Sequence, residues 1–334
     1  MKQLQTILLI LIVFAGVVLI SGCISPEEDG EASVVKVINF GYQPSTHQIA
    51  YMTAYEKGWW AEDLAPFGVT TINEFEFPTG APEMQSMLAG DLDVAYVGAA
   101  PFISALSGGL DAKIVAGVNS QGSDLVLAPE IPYESPEDLK GLTIATFPPG
   151  TIQDTILRNW LIENGLEPDV DVIIKAMGPG DAIAAISAGH VDGVFLPHPA
   201  PTLIEQEGSG RPVVSSGEIM PGHACCVLVV SGDLIRNNPD LVTQIVKTHI
   251  KATEYNLENK DEAAQIFADK LGWDVNVVRA SLDEWDGQWI ADPNIIVNST
   301  VNYAKVQHDL GYIDTELTQD DIFDLSFYKA ATEE

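Results

Sequence analysis

The chain has 334 residues, 46% of them hydrophobic, with 48 acidic against 16 basic side chains and a net charge of −32. That length allows two lobes with a core each, and so negative a chain makes nucleic acid and anionic lipid poor partners. An anionic ligand is not excluded, because salt screens charge beyond about 8 Å and the local groups of a cleft decide.

The N-terminus carries one Lys, then an uncharged apolar run from Ile7 to Ile20, then Ser21, Gly22 and Cys23. The run has the length of a signal-peptide core rather than of a membrane span. "LISGC" resembles the lipobox of secreted lipoproteins, which implies a signal peptide over 1–22 and a lipid on Cys23. A retained N-terminal span is the alternative; either way the folded part sits outside the cell, at the outer face of the membrane. Residues 23–33 hold the acidic stretch "ISPEEDGEAS", a solvated tether.

Folding is expected to begin near Val34. "VVKVINFGY" reads as a strand, and the following helix has Ser45 and Gln48 spaced as a capping pair, with Gly58 as its stop. "VTTINEFEF", "DVAYVG" and "AKIVAGV" read as further strands separated by "PTGAPEMQSMLAG" and "PFISALSGG" as helices. From "SDLVLAP" the grammar restarts: "LTIATF", "DVIIKAM" and "VDGVFL" as strands, and "GTIQDTILRNWLIENG" as a helix with Thr151 and Asp154 as its capping pair. "CCVLVVSGDLI" returns as a strand, and helical patterns follow from Pro239. This order predicts an α/β fold of parallel, right-handed sheets. Lobe 1 is expected to comprise 34–122 plus 225–334 with the C-terminal helices, and lobe 2 to comprise 123–224. Two chain crossings between them would make a hinge.

One phrase occurs twice, "LAGDLDVAYVGAAP" from Leu88 and "SAGHVDGVFLPHPAP" from Ser187. Each copy ends a helix at Gly, passes an Asp three residues on, and runs through a buried strand into a loop. The plain reading is a helix-to-strand joint. The functional one is that the two loops, at strand C-terminal ends, form the jaws of one site.

Cys225 and Cys226 adjoin in "HACCVLVV" and form no disulfide framework. On a strand they point to opposite faces, which favours two small core residues. "NST" at Asn298 is a glycosylation sequon, Trp285 and Trp289 sit at helical spacing, and Trp59 and Trp60 read as packing residues. The motifs of P-loops, nucleophile elbows, zinc proteases and dinucleotide sites are absent.

Taken together, "THQIAYMTAYEKGWW", "LAGDLDVAYVGAAPFISALSGGLDAKIVAG", "SPEDLKGLTIATFPPGT" and "AAISAGHVDGVFLPHPAP" resemble the solute-binding lipoproteins of ABC importers for nitrate, sulfonates and taurine, the family that also holds NMT1/THI5-like proteins. The resemblance runs from about Val34 to Leu271. It implies a type II periplasmic-binding-protein fold with ligand in the interlobe cleft, an ABC permease with ATPase subunits as partner, a monomer, and no catalysis and no cofactor. Related enzymes of thiamin-pyrimidine and menaquinone biosynthesis keep a catalytic reading open.

Several helix N-termini follow strand ends and so should face that cleft. Unpaired N–H groups and the positive dipole end there are worth about 0.3–1 kcal/mol each to an anion. The ligand residues expected on this basis are Thr79 and Gly80; Gly98, Ala99 and Ala100; and Gly150 and Thr151. The resemblance adds His47, with Tyr42 and Gln43 beside it, and His198, where many relatives carry an acidic residue. Phe102, Phe147 and Tyr96 are candidates for an apolar wall. The expected ligand is an alkanesulfonate or taurine-like anion. The alternatives are a vitamin precursor of pyrimidine or flavin type, nitrate and bicarbonate.

Overall fold

The computed structural model describes residues 35–333; the expected signal peptide over 1–22, the expected lipid site at Cys23 and the expected tether over 23–33 lie outside them. Among the described residues no helix is long and apolar enough to cross a membrane.

Two sheets organise the chain. The first contains β1 (Val37–Tyr42), β2 (Thr71–Glu76), β3 (Val94–Gly98) and β4 (Ala112–Ser120). The chain then builds the second sheet from β5 (Ser123–Leu127), β6 (Thr143–Thr146), β7 (Ile173–Ala176), β8 (Gly193–Pro197) and β9 (Arg211–Ser215). It returns to the first with β10 (Ala224–Ser231) and ends there with β11 (Gln288–Trp289). The strand orders are β11-β4-β10-β3-β1-β2 and β7-β6-β8-β5-β9.

Neither sheet is wholly parallel, which corrects the expectation of parallel sheets. β1 pairs with β2 and β3 in parallel, as β6 does with β7 and β8, but β10 lies between β3 and β4 and runs against both. β5 runs against β8 and β9. The reversed strands β5 and β10 are the ones that follow the two crossings, and the short β11 also runs against β4. A strand entering a sheet from the other sheet, rather than through a crossover helix, has no reason to keep the direction of its neighbours.

The repeated phrase is the same joint in both sheets. The helix Gly80–Leu88 ends at Gly90 with φ +85°, and the helix Pro179–Ser187 ends at Gly189 with φ +67°, the left-handed turn that glycine adopts at no steric cost. In the first copy the Asp93 carboxylate accepts from the Asn39 N–H of β1 at 2.8 Å. In the second, Asp192 accepts from the Thr143 N–H of β6 at 2.7 Å. Each Asp thus satisfies the start of the neighbouring parallel strand, a physical reason for that residue type at that spacing.

Four of the largest buried side chains pack together, Phe40 of β1 and Tyr96 of β3 against Tyr51 and Trp60 of the helices Ile49–Glu56 and Trp59–Leu64 above them. The 20-residue helix Pro239–Glu258 packs on Ile49–Glu56, where Thr53 donates to Asn256 at 2.7 Å. Trp285 ends the helix Val275–Glu284 while Trp289 lies in β11, so the two are not on one helix as their spacing suggested. Gly287 breaks the pattern between them. Asn298 is exposed near the start of the helix Val297–Asp309.

Candidate functional site

The C-terminal ends of β1, β3, β6 and β8 converge on one cleft between the sheets, holding about 610 Å³ of space with its mouth included. Its border takes Gln43, Ser45 and His47 after β1, Gly80, and Gly98 at the end of β3. The other sheet contributes Phe147, Thr151 and Gln153 after β6, and Pro197 and His198 from β8 and its loop. Both copies of the repeated phrase therefore deliver their loops to the same cleft. Among the described residues no Lys or Arg borders it.

What the border offers an anion is backbone. The helices Gly80–Leu88, Ala99–Ser107 and Ile152–Glu163 start here, preceded by Thr79, Gly98 and Thr151, and no side chain caps any of the three. The capping pairs read from spacing are not formed. Gln48 turns back to accept from the Gln43 N–H at 2.6 Å, Thr151 donates to the Pro148 carbonyl at 2.7 Å, and Asp154 accepts from the Gly150 N–H at 3.2 Å and from Arg158 at 2.7 Å. The same spacing at Ser135 and Asp138 does give a reciprocal box, at an exposed turn. Unclaimed first-turn N–H groups at the cleft leave room for a ligand to take them. The two sides also meet closely, since a Cβ on Gly98 would stand 3.1 Å from the Ile152 side chain.

The two histidines border the cleft with both ring nitrogens already partnered. His47 contacts the Gly122 carbonyl through Nε2 at 2.8 Å and the Cys225 thiol through Nδ1 at 3.2 Å. His198 contacts Asp124 through Nε2 at 2.9 Å and the Ser281 hydroxyl through Nδ1 at 2.9 Å, while its carbonyl accepts from Thr46. Asp124 lies in β5 and Ser281 on the helix Val275–Glu284. His198 is thus a cross-link between the second sheet and the C-terminal helices.

Tyr42, Thr79, Ala99, Ala100 and Gly150 lie outside the cleft border. Tyr42 stacks on Tyr51 at 4.8 Å and points its hydroxyl at Glu76; Thr79 is the buried residue before a helix; Gly150 and Ala100 offer their carbonyls to Gln307. Of the aromatic candidates, Phe147 borders the cleft, while Phe102 and Tyr96 are core. Sequence reasoning missed Gln153, Ile183, Cys225 and Cys226 on the border and Glu83 behind it. Glu83 is fully buried, accepts from the Gln43 amide at 2.7 Å and leaves Oε1 without a partner. Burial pushes its carboxyl well above the ordinary range, so it is held protonated. Hydrogen bonding with Cys225 and with His47 pulls the Cys226 thiol down, while hydrogen bonding with Cys226 and burial push Cys225 up.

Gly122, on the first crossing, has φ +92°, and a Cβ there would lie 2.7 Å from His47 Nε2 and 2.8 Å from Trp285. Gly122→Ala is expected to cost about 1–3 kcal/mol through backbone strain and displacement of His47. Urea unfolding measures it, and a cost within a few tenths of zero would contradict the described packing.

A sequence model of the NMT1-like family matches residues 31–269. The chain is 27% identical over 330 residues to the putative aliphatic sulfonates-binding protein of Bacillus subtilis (strain 168), covering 97% of each chain. It is 25% identical over 233 residues to the taurine-binding periplasmic protein of Escherichia coli (strain K12), covering 67% of this chain and 70% of that one. Among solved structures, the periplasmic nitrate-binding protein of Synechocystis PCC 6803 superposes with a TM-score of 0.76 at 17% identity, covering 90% of this chain and 89% of the other. The mixed sheets joined by two crossings match that solute-binding fold. With about seven-tenths of its length matched, this chain belongs to the NMT1-like family.

Proposed function

We propose that the protein is the extracytoplasmic solute-binding component of an ABC importer and captures a small anion, an alkanesulfonate or taurine-like compound, by closing two lobes on it. The observation that carries this reading is the trio of uncapped helix N-termini, drawn from both sheets, at one cleft. The relatives that bind aliphatic sulfonates and taurine support the substrate class. Lobe 1 is 34–122 with 225–334 and lobe 2 is 123–224, so that the crossings at 120–123 and 215–224 act as the hinge. A ligand touching both lobes makes contacts available only in the closed state and shifts the equilibrium toward it. No bond of the ligand is made or broken; the permease and its ATPase subunits do the transport. A lipid on Cys23 holds the monomer at the membrane, and Asn298 is an exposed acceptor for glycosylation.

The wall of Phe147, Ile183, Pro179 and Pro197, with no Lys or Arg among the described residues of the border, favours a second reading, a neutral heterocycle of vitamin-precursor type. A thermal-shift series separates the two. A ligand at 100 times its Kd adds about 2.7 kcal/mol to the folded state, a rise of about 4 °C for a chain of this size. Ethanesulfonate or taurine is expected to give that rise, and Gly98→Val, which crowds Ile152 and Pro101, to abolish it, each shift being read against the same protein's ligand-free melting temperature. A rise with pyrimidine or flavin precursors alone favours the second reading, and one with nitrate or bicarbonate alone a smaller anion. No rise with any of these compounds overturns the capture proposal.

A further inference from the structure

Consecutive side chains of a strand belong on opposite faces of the sheet, yet the Cys225 and Cys226 sulfurs are 3.9 Å apart. The cause is in the ladder: pairing between β10 and β4 slips between Ala224 and Cys226 and again between Cys226 and Val227. Such a bulge re-aims side chains and is retained where that serves a site. Here it brings both thiols to the cleft border, where His47 Nδ1 stands 3.2 Å from Cys225 Sγ. The three ligand atoms all lie within 4.8 Å of one another, on residues that are at most 5% exposed.

These separations are those of a coordination sphere. Thiolates about 2.3 Å from a tetrahedral metal stand about 3.8 Å from each other, and about 3.5 Å from an imidazole nitrogen bound at about 2.0 Å. The outer contacts agree. A Gly122 carbonyl at 2.8 Å from His47 Nε2 requires the proton there, which leaves the Nδ1 lone pair turned toward the sulfurs; metal-binding histidines are fixed in this way. Gln48 Nε2 lies 3.5 Å from Cys226 Sγ and steadies the second sulfur. Two sulfurs and an imidazole select a thiophilic d10 ion and disfavour magnesium or calcium.

We propose that His47, Cys225 and Cys226 bind one thiophilic d10 metal ion, of the zinc(II) class, at the floor of the cleft. As the ion enters, two S–H bonds break, two metal–sulfur bonds form, and both protons leave to solvent. The resulting centre is neutral with a dication, and its fourth coordination position is reached from the cleft, where it offers a Lewis acid to a solute atom. This goes beyond the anion-capture reading and does not depend on it, because the metal is measured without any organic solute.

The test uses the full chain with Cys23→Ser, which removes the one other cysteine, titrated with Cd²⁺ and Co²⁺ as probes and Zn²⁺ as competitor. One equivalent of Cd²⁺ is expected to give a thiolate-to-metal charge-transfer band, Co²⁺ the visible spectrum of a tetrahedral site, and Zn²⁺ to displace both. Cys225→Ser with Cys226→Ser is expected to weaken binding by about 100-fold or more, and His47→Ala by about 10- to 100-fold, with the metal-free far-UV spectrum unchanged. No stoichiometric band, or a band that survives the double substitution, overturns the proposal. Should the double variant fail to fold, alkylation of Cys225 and Cys226 in the Cys23→Ser chain decides: protection by one equivalent of Zn²⁺ supports the site, and equal labelling with and without Zn²⁺ overturns it.

Discussion

Trp60→Ala is expected to cost about 3–5 kcal/mol, a large share of the stability of any domain of this size, whereas Trp59→Ala is expected to cost under about 1 kcal/mol. The doublet reads alike in the sequence, but the two indoles do different work. Trp60 is 1% exposed, its ring centroid lies 4.7 Å from Phe40, and its N–H donates to the Tyr51 carbonyl at 3.1 Å. Removing it opens a void beneath β1 and takes away the indole hydrogen bond to the Tyr51 carbonyl, in a core that cannot collapse across a sheet. Trp59 is half-buried, meeting Tyr255 edge-on at 5.4 Å with Lys251 4.4 Å above its ring. Solvent replaces much of that contact. Urea denaturation of the two single variants measures the difference, and equal costs would contradict the assignment.

Acid is expected to unfold the protein through two buried histidines. His223 and His249 are both pushed down to about 4, chiefly by burial. His249 sits between the Tyr96 hydroxyl at 3.0 Å and the Gly117 carbonyl at 2.7 Å, contacts met by one neutral ring. His223 faces Tyr303 and the Ala224 carbonyl through Nδ1 and has no partner at Nε2. The sign follows from counting protons. Between pH 6.5 and 4 the unfolded chain binds a proton on each ring and the folded chain does not, so stability falls as pH falls through that window. At pH 5 the loss is about 2 kcal/mol per histidine relative to pH 7. Glu83 acts in the opposite direction. Its raised carboxyl stays protonated in the fold, so its contribution is present below about pH 4.5 and is lost as pH rises. The contrast between wild type and His249→Gln cancels Glu83. The variant is expected to lose about 2 kcal/mol less than wild type between pH 7 and pH 5 by urea unfolding, and equal losses would refute the assignment.

Much of the architecture was legible because punctuation is local. Gly58, Gly90 and Gly189 end helices through their own backbone freedom, and the apolar runs they separate are strands. The doubled phrase pointed correctly to two strand-end loops at one cleft, since that follows from element order. Strand direction was not legible: whether β10 runs with or against β3 depends on the second crossing, about a hundred residues after the first sheet is left at Ser120. Nor was the partnering of His198, because Asp124 and Ser281 are 74 and 83 residues distant in the chain. Alternation put Cys225 and Cys226 on opposite faces, and only a slipped ladder overrules alternation. Spacing put caps at Ser45 and Thr151, but side chains near a cleft have other acceptors to satisfy, and those helices begin uncapped.

The insertion of β10 between β3 and β4 bears on how the chain is made. Residues emerging first supply β1 to β4, yet β4 lacks its inner neighbour until residues 224–231 have appeared. The second sheet, by contrast, is continuous in the chain over 123–215 and meets all its pairing partners without waiting. Short separations between partners favour early assembly and long ones delay it. The middle of the polypeptide is therefore expected to reach its final form before the stretches on either side of it, and an unfinished edge of the first sheet stays open to wrong neighbours until residues 224–231 have been made.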